Sequence, residues 1–334
     1  MNSNRNMLDI YFWDEYAKIY EQVESGEVEK FTYKNEKGEI HYQFIKRLIP
    51  IKVSDIEYYD ITTPYGYGGP IVLNCEEGKL DELINDFNNA FLSYCEKNRI
   101  VAEFVRFHPI IKNHLTFEKI YDPIFLRNTV GIDLKKEDLF MDEFSSKCRN
   151  MVRKAIKRSV SIEFDFNCDT IDCFYDIYIS TMNKNNATDY YYFPLDFFIK
   201  TINFLKPYVF IVNAKLNEKI ISSSMFMYSD EFVHYHFSGT VPDYYKYAAD
   251  NLILFEVAKW AKEHNKIYLH LGGGYTNSEN DSLFKFKKSF TKDTIFDFYV
   301  GKRILNNQIY DLLTMENIKK KGEINQNFFP AYRA

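Results

Sequence analysis

Lys287 stands out from its neighbours by its place in the local pattern. The stretch Asp281-Ser282-Leu283-Phe284-Lys285-Phe286-Lys287-Lys288-Ser289-Phe290 follows a capping Asn280/Asp281 and reads as a helix. At about 100° per residue, Leu283, Phe286 and Phe290 share one face, and Lys287 projects onto it while Lys285 and Lys288 point away. A lysine on an apolar stripe either snorkels to the edge or meets an anion in a cleft. In the second case its cation neutralises a phosphate or the oxyanion of an acyl-transfer intermediate.

Three further segments carry residues of chemical interest. Tyr65-Gly66-Tyr67-Gly68-Gly69-Pro70 lies between a β-prone run and a helix, where glycines either free backbone N–H groups for an anion or make a tight turn. Gly272 and Gly273 follow an apolar strand in Leu271-Gly272-Gly273-Gly274-Tyr275, giving either close backbone approach to a ligand or a flexible connector. Arg106-Phe107-His108-Pro109 ends another strand, with His108 a candidate base or anion ligand, or else a structural histidine. His234 and His236 share a strand face with no carboxylate at ligand spacing, so no metal site is expected. Arg149 belongs to a basic helix with Lys147, Arg153, Lys154, Lys157 and Arg158, which is either a solvated face or a contact for phosphate or RNA. Tyr191, Tyr235 and Ser238 complete the candidate substrate-binding residues.

The elements that must position these residues repeat. An alternating run from Ile56 to Thr62, the Pro64 to Pro70 loop, a helix from Gly78 to about Asn98 and an apolar strand from Ile100 to Phe107 form one set. Glu231 to Ser238, Gly239 to Tyr247, a helix from Ala248 to His264 and Ile267 to Leu271 form the other. A β-meander precedes each set, with turns at Asn35-Glu36-Lys37-Gly38, Asn217-Glu218 and Ser229-Asp230. The predicted fold is α/β with mixed α+β sheets, in an element order that resembles the GNAT acyltransferases, and the resemblance implies two tandem GNAT-like domains packed around a shared cleft. Domain 1 is expected over 1–138, completed by 304–334, and domain 2 over 139–303. The tail reads as a helix from Asn306 to Ile318 followed by a strand-like end. At the loop of the second set, Ser238-Gly239-Thr240-Val241-Pro242-Asp243 lacks the Gln/Arg-x-x-Gly-x-Gly/Ala pattern by which GNAT enzymes hold coenzyme A.

Composition narrows the class. A chain of 334 residues with 46% hydrophobic residues can bury two cores, and 30 Phe and 27 Tyr fill much of them. A net charge of -5 does not suit bulk electrostatic binding of nucleic acid, and no DNA partner is expected. The five cysteines are odd in number and lack CxxC spacing, so they read as reduced thiols of a cytoplasmic protein. No run approaches the roughly 18 apolar residues of a membrane span, so any lipid-linked glycan precursor, as opposed to a small-molecule one, would have to be met at the inner membrane surface.

Taken in order, Tyr65 to Pro70, Arg106 to Pro109, Lys147-x-Arg149 with Arg153-Lys154-Ala155, Tyr178-x-x-Thr181-Met182, Ser238-Gly239, Glu256 to Ala261, Gly272 to Gly274 and Phe286-Lys287 resemble the FemA/FemB/FemX-like transferases and their surface-glycan relatives. The resemblance runs from about residue 60 to 290. It implies an acyltransferase with no permanently bound cofactor, whose co-substrate is acyl-CoA or aminoacyl-tRNA and whose acceptor is an amine. It also gives importance to the Phe286-Lys287 pair. The short distance from Thr181 to Tyr208 leaves no room for the helical arm of some members. Acyl-CoA-dependent N-acylation of a surface-glycan precursor is the first expectation. Aminoacyl-tRNA-dependent extension of a peptidoglycan stem peptide is the alternative, and a silent glycan-precursor binding protein is a third.

Overall fold

The computed structural model describes residues 8–278, 280–325 and 327–334. By internal contacts the chain divides into a unit of residues 14–126 with 297–334 and a unit of residues 127–296 joined by the segment ending at Trp13. The chain passes between units at 13/14, 126/127 and 296/297, whereas the sequence reading places its junctions at 138/139 and 303/304.

In the 14–126 unit, β1 (Gly26–Asn35) and β2 (Gly38–Leu48) form a long antiparallel hairpin. Asn35 Oδ1 accepts from Lys37 N in its turn at 2.9 Å, the short-range bond that suits Asn to turns. β2 pairs with β3 (Tyr59–Thr62) and with β4 (Ile71–Cys75), a strand in the stretch between loop and helix to which the sequence reading gave no element. β3 runs parallel to β5 (Ile100–Arg106), which a hairpin cannot achieve. The Leu80–Lys97 helix makes the crossover, burying Leu83, Ile84, Phe87, Phe91 and Cys95 at helical spacing against Tyr42, Phe44 and Phe117. Each such aromatic contributes about 1.5–3 kcal/mol by burial.

Among its described residues, the C-terminal tail closes this unit without a strand. After the Asn307–Lys321 helix it ends in a single 3-10 turn at Ala331–Arg333, directly after Pro330, which has no N–H to give to a ladder. Tyr332 is buried, and Arg333 and Arg47 both donate to the fully buried Asp60 carboxylate. The two cations offset the cost of burying that charge.

In the 127–296 unit, β6 (Ile124–Asp133), β7 (Ser161–Asp165), β8 (Val209–Leu216), β9 (Lys219–Tyr228), β10 (Phe232–Thr240) and β11 (Tyr268–Gly272) lie in the order β6-β11-β10-β9-β8-β7. All pairs are antiparallel except β10 with β11, which the Ala249–Glu263 helix connects. That helix buries Ile253, Leu254, Val257 and Ala258 on Val212, Phe226, Val233 and Leu269. The parallel pair with its crossover helix thus occurs in both units, as the repeated order predicts.

Candidate active site in the 127–296 unit

The β10/β11 ladder is short. Phe232, Val233 and His234 face Tyr268, Leu269 and His270, and among the described residues no later pairing joins these strands. β10 continues on β9 as far as Thr240↔Ser222, while β11 turns to β6 and reaches Gly272↔Val130. Each strand carries an irregularity where they part, between Tyr235 and Phe237 and between His270 and Gly272. Bulges redirect side chains and end pairing, so the strands open a wedge here. Gly272 takes φ 74°, a backbone state that disfavours any side chain.

Lys287 occupies this wedge. Its helix, Ser282–Lys288, begins at Asp281, whose Oδ1 accepts from Phe284 N at 2.8 Å. Asp281 Oδ2 accepts from Thr276 N at 2.8 Å, tying the glycine-rich loop to the helix start. Lys287 is 8% exposed, while Lys285 and Lys288 are exposed, the pattern expected from helical spacing. Lys287 Nζ donates to Gly273 O at 2.8 Å and lies 5.8 Å from the Tyr235 ring centroid, within cation–π reach. Burial pushes its pKa down to about 7; Asp281 pulls it up, and Arg127 pushes it down.

The surrounding shell is polar and buried. Burial raises the pKa of the Tyr235 phenol, and Ser238 and Ser224 hydrogen-bond to it. Ser224 Oγ donates to Ser238 Oγ at 3.0 Å. Arg127 donates to Gly274 O at 2.9 Å, and its Nε is buried with no protein partner. Deeper along β9, Ser222 Oγ and Thr240 Oγ1 both bond the Asp250 carboxyl, whose pKa is raised by burial against the pull of those hydroxyls. The wedge therefore holds a lysine that exchanges its proton near neutrality, an arginine with an unused donor and a phenol in a hydroxyl network. Such a set can hold an anionic acyl-transfer intermediate.

Of the residues singled out in the sequence, Lys287, Tyr235, Ser238, Gly272 and Gly273 meet here. Phe286, at the same helix, packs edge-on to Phe290 at 5.3 Å and fixes its register. Tyr191 is 37% exposed, and its backbone oxygen accepts from Tyr178. Arg149 spends its guanidinium on Phe144 O at 2.5 Å and Ser146 Oγ at 3.2 Å, closing its own helix start.

Tyr65, Gly66, Tyr67, Gly68, Gly69, Arg106 and His108 belong to the other unit, where the corresponding junction of β3 and β5 is sealed. Gly68 N donates to Arg106 O at 2.7 Å, so this amide completes backbone pairing where the sequence reading offered it to a phosphate. Asn113 Nδ2 holds Gly68 O and Pro70 O, Tyr16 donates to Tyr65 O, and Gly66 and Gly69 take positive φ. Tyr67 is buried against His108 and Phe298. Arg106 donates to Thr62 Oγ1 and Thr63 O. His108 Nδ1 accepts from Ile111 N at 3.1 Å. Tight packing of backbone against backbone explains these glycines.

Two residues escaped the sequence reading. Arg127 is one cation in a β-prone run with no periodic anomaly to mark it. Asp281 reads as a helix cap, and its effect on Lys287 follows only from the turn of the chain. One expectation also needs correcting: a carboxylate does lie on His234, since Asp9 accepts at 2.9 and 3.0 Å from a partner 225 residues away.

The parallel pair joined by a crossover helix, occurring once in each unit, is the tandem GNAT-like arrangement. Residues 195–305 match the FemAB family. A 173-residue stretch is 23% identical to the UDP-N-acetylmuramoylpentapeptide-lysine N(6)-alanyltransferase of Weissella viridescens, covering 51% of this chain and 50% of that protein. The match thus spans about half the length of that relative. A FemX crystal structure superposes with a TM-score of 0.68 at 15% identity, covering 91% of this chain and 94% of its own. The C-terminal domain of a putative lysylphosphatidylglycerol synthetase from Agrobacterium fabrum gives 0.53 at 12% identity, over 91% and 92% of the two chains. A tandem GNAT protein from clavulanic acid biosynthesis gives 0.50 at 7% identity, over 83% of each chain. Over residues 195–305 the chain is similar to the FemAB family, and its fold is GNAT-related.

Proposed function

We propose that the chain is an aminoacyltransferase that moves an aminoacyl group from its RNA ester to an amine of a peptidoglycan precursor. The observation that carries this reading is Lys287, buried in the parted β10/β11 wedge and inside the segment that matches the FemAB family. The Weissella relative, named for alanyl transfer to the lysine of a muramoyl-pentapeptide, supports an aminoacyl donor over acyl-CoA. The first expectation, acyl-CoA-dependent acylation of a surface glycan, finds no such support and gives way to this alternative.

The acceptor amine attacks the ester carbonyl, the carbonyl oxygen takes up negative charge, and the ribose hydroxyl departs as the amide forms. Lys287, when protonated, neutralises the oxyanion, and Arg127 supplies its spare N–H. Asp281 holds the Lys287 helix and favours the protonated amine. We place the chemistry on Lys287 rather than on His108, whose Nδ1 serves the turn at Ile111.

The test is a donor comparison read by mass spectrometry of the acceptor. Aminoacyl-tRNAs with a UDP-linked muramoyl-pentapeptide are expected to give an acceptor heavier by one residue. Acylation of an amino sugar by acyl-CoA, with none from any aminoacyl-tRNA, overturns the proposal.

A further inference from the structure

The helix Ser146–Lys157 buries Cys148, Val152 and Ala155 along one stripe, in the core of the 127–296 unit. At about 100° per residue, Arg153, Lys157, Lys154 and Lys147 point the other way. With Arg149 and Arg158 they make six cations in residues 146–158, a stretch without an acid. Among the described residues, the ion pairs of this unit are Lys200–Asp196, Lys215–Glu163, His234–Asp9 and Lys259–Glu256, so no carboxylate neutralises the helix.

One flank of this basic face is apolar. Ile156, three residues on from Arg153, is 55% exposed, and Met141 is 49% exposed on the Leu139–Glu143 turn that precedes the helix. Arg153 joins the two, because its guanidinium lies 5.0 Å from the ring centroid of Phe140, the neighbour of Met141. Lys292 adds a cation by donating to Met141 O at 2.9 Å. The acids of the turn bind their own backbone: Asp138 accepts from Phe140 N and Met141 N, and Asp142 accepts from Asp138 N. Glu137 is exposed and follows Lys135 and Lys136. The helix start is tied to the Lys287 helix, since Ser145 N donates to Ser289 O at 3.0 Å.

We infer that the outward face of the Ser146–Lys157 helix, with Met141 and Ile156, docks the protein on an anionic phospholipid bilayer. A cluster of Lys and Arg on an amphipathic helix is complementary to anionic headgroups. The apolar flank decides between polyanions. An RNA backbone would engage the cations and leave Met141 and Ile156 in water, whereas a bilayer interface takes apolar side chains between its headgroups. Phe140, the ring at this face, is covered by Arg153 and not open to a base. The bond from Ser145 to Ser289 then holds the Lys287 helix close behind the contact surface. The inference goes beyond the transfer reaction proposed above and does not depend on its donor.

The experiment is sedimentation of the full chain with vesicles of phosphatidylcholine alone and of an equal mixture with phosphatidylglycerol. Wild-type protein is expected to sediment with the mixed vesicles only, and less as salt rises. Lys147→Gln/Lys154→Gln/Lys157→Gln should weaken that binding by about 10²-fold, at roughly 5-fold for each lysine. Met141→Ser/Ile156→Ser should weaken it by about tenfold and leave binding to an RNA duplex, the competing polyanion, unchanged. Lys319→Gln/Lys320→Gln/Lys321→Gln, at a helix end in the other unit, should leave vesicle binding as in wild type. None of these side chains is buried, and an unchanged Tm certifies each fold. Equal sedimentation with both vesicles, or none with either, overturns the inference. So does binding that survives the lysine or the apolar changes, an equal loss in the 319–321 variant, or tighter binding to the RNA duplex than to mixed vesicles at one salt concentration. The donor comparison above reads transfer in solution, so either proposal can fail while the other stands.

Discussion

The two parallel-strand junctions were built from one order of elements and have opposite contents. At β3/β5 the chain after Thr62 stays on the neighbouring strand: Thr63 N donates to Phe104 O, and Gly68 N to Arg106 O. Arg106 and Asn113 then tie the loop down from the side. At β10/β11 the ladder ends at His234/His270, and the gap receives Lys287 instead of backbone. A junction filled by main chain satisfies its own polar groups and is inert. One filled by a buried lysine leaves a charge to be satisfied by whatever enters.

The largest expected break of this contrast is Lys287→Met. On the true donor and acceptor it should cut turnover by roughly 10² or more, the scale of losing one oxyanion-stabilising donor, while Lys285→Met leaves turnover near wild type. Steady-state rates of the two variants decide it, and equal rates refute the assignment.

The pH profile sharpens the same point. With Lys287 acting as a cation and its pKa near 7, kcat should fall as pH rises through about 7. A profile that instead rises there makes the neutral amine a base. Asp281→Asn removes the charge that favours protonation, so the midpoint should move down by about 1 or more. An unmoved midpoint shows that Asp281 only caps the helix.

Stability should respond in the opposite sense to activity. The folded pKa of Lys287 lies below its unfolded value, so the unfolded state binds more protons between about 7 and 10.5. The cost of burying the amine is full below 7 and is relieved as pH rises toward 10.5. Lys287→Met should therefore raise Tm at pH 6 by several degrees, and by less at pH 9, a trade of stability for function. Calorimetry showing a lower Tm at pH 6 contradicts the buried-charge account.

The smallest effect on chemistry, and a plain effect on folding, is expected at the sealed junction. Gly69 has φ 92°, and a Cβ there would stand 2.8 Å from Val105 Cγ1. Gly69→Ala should lower Tm by several degrees, at about 2–4 °C per kcal/mol, without shifting the pH midpoint of transfer. A shifted midpoint with unchanged Tm returns the glycine loop to ligand binding.

Periodicity in the sequence determined the repeated strand, loop, helix and strand, the crossover helices and the burial of Lys287 between exposed Lys285 and Lys288. These depend on which residues share a face over one or two turns, a local property. Tertiary structure decided which junction stays open. Tyr65 to Pro70 and Leu271 to Tyr275 are similar as glycine-rich strings, but only hydrogen bonding with a neighbouring strand distinguishes a sealed loop from one that frames a charge. The same holds for Asp9 on His234 and Arg127 on Gly274, partners 225 and 147 residues apart. Local pattern carries no record of such pairs, because their contact energy appears only once the sheet has brought distant segments together.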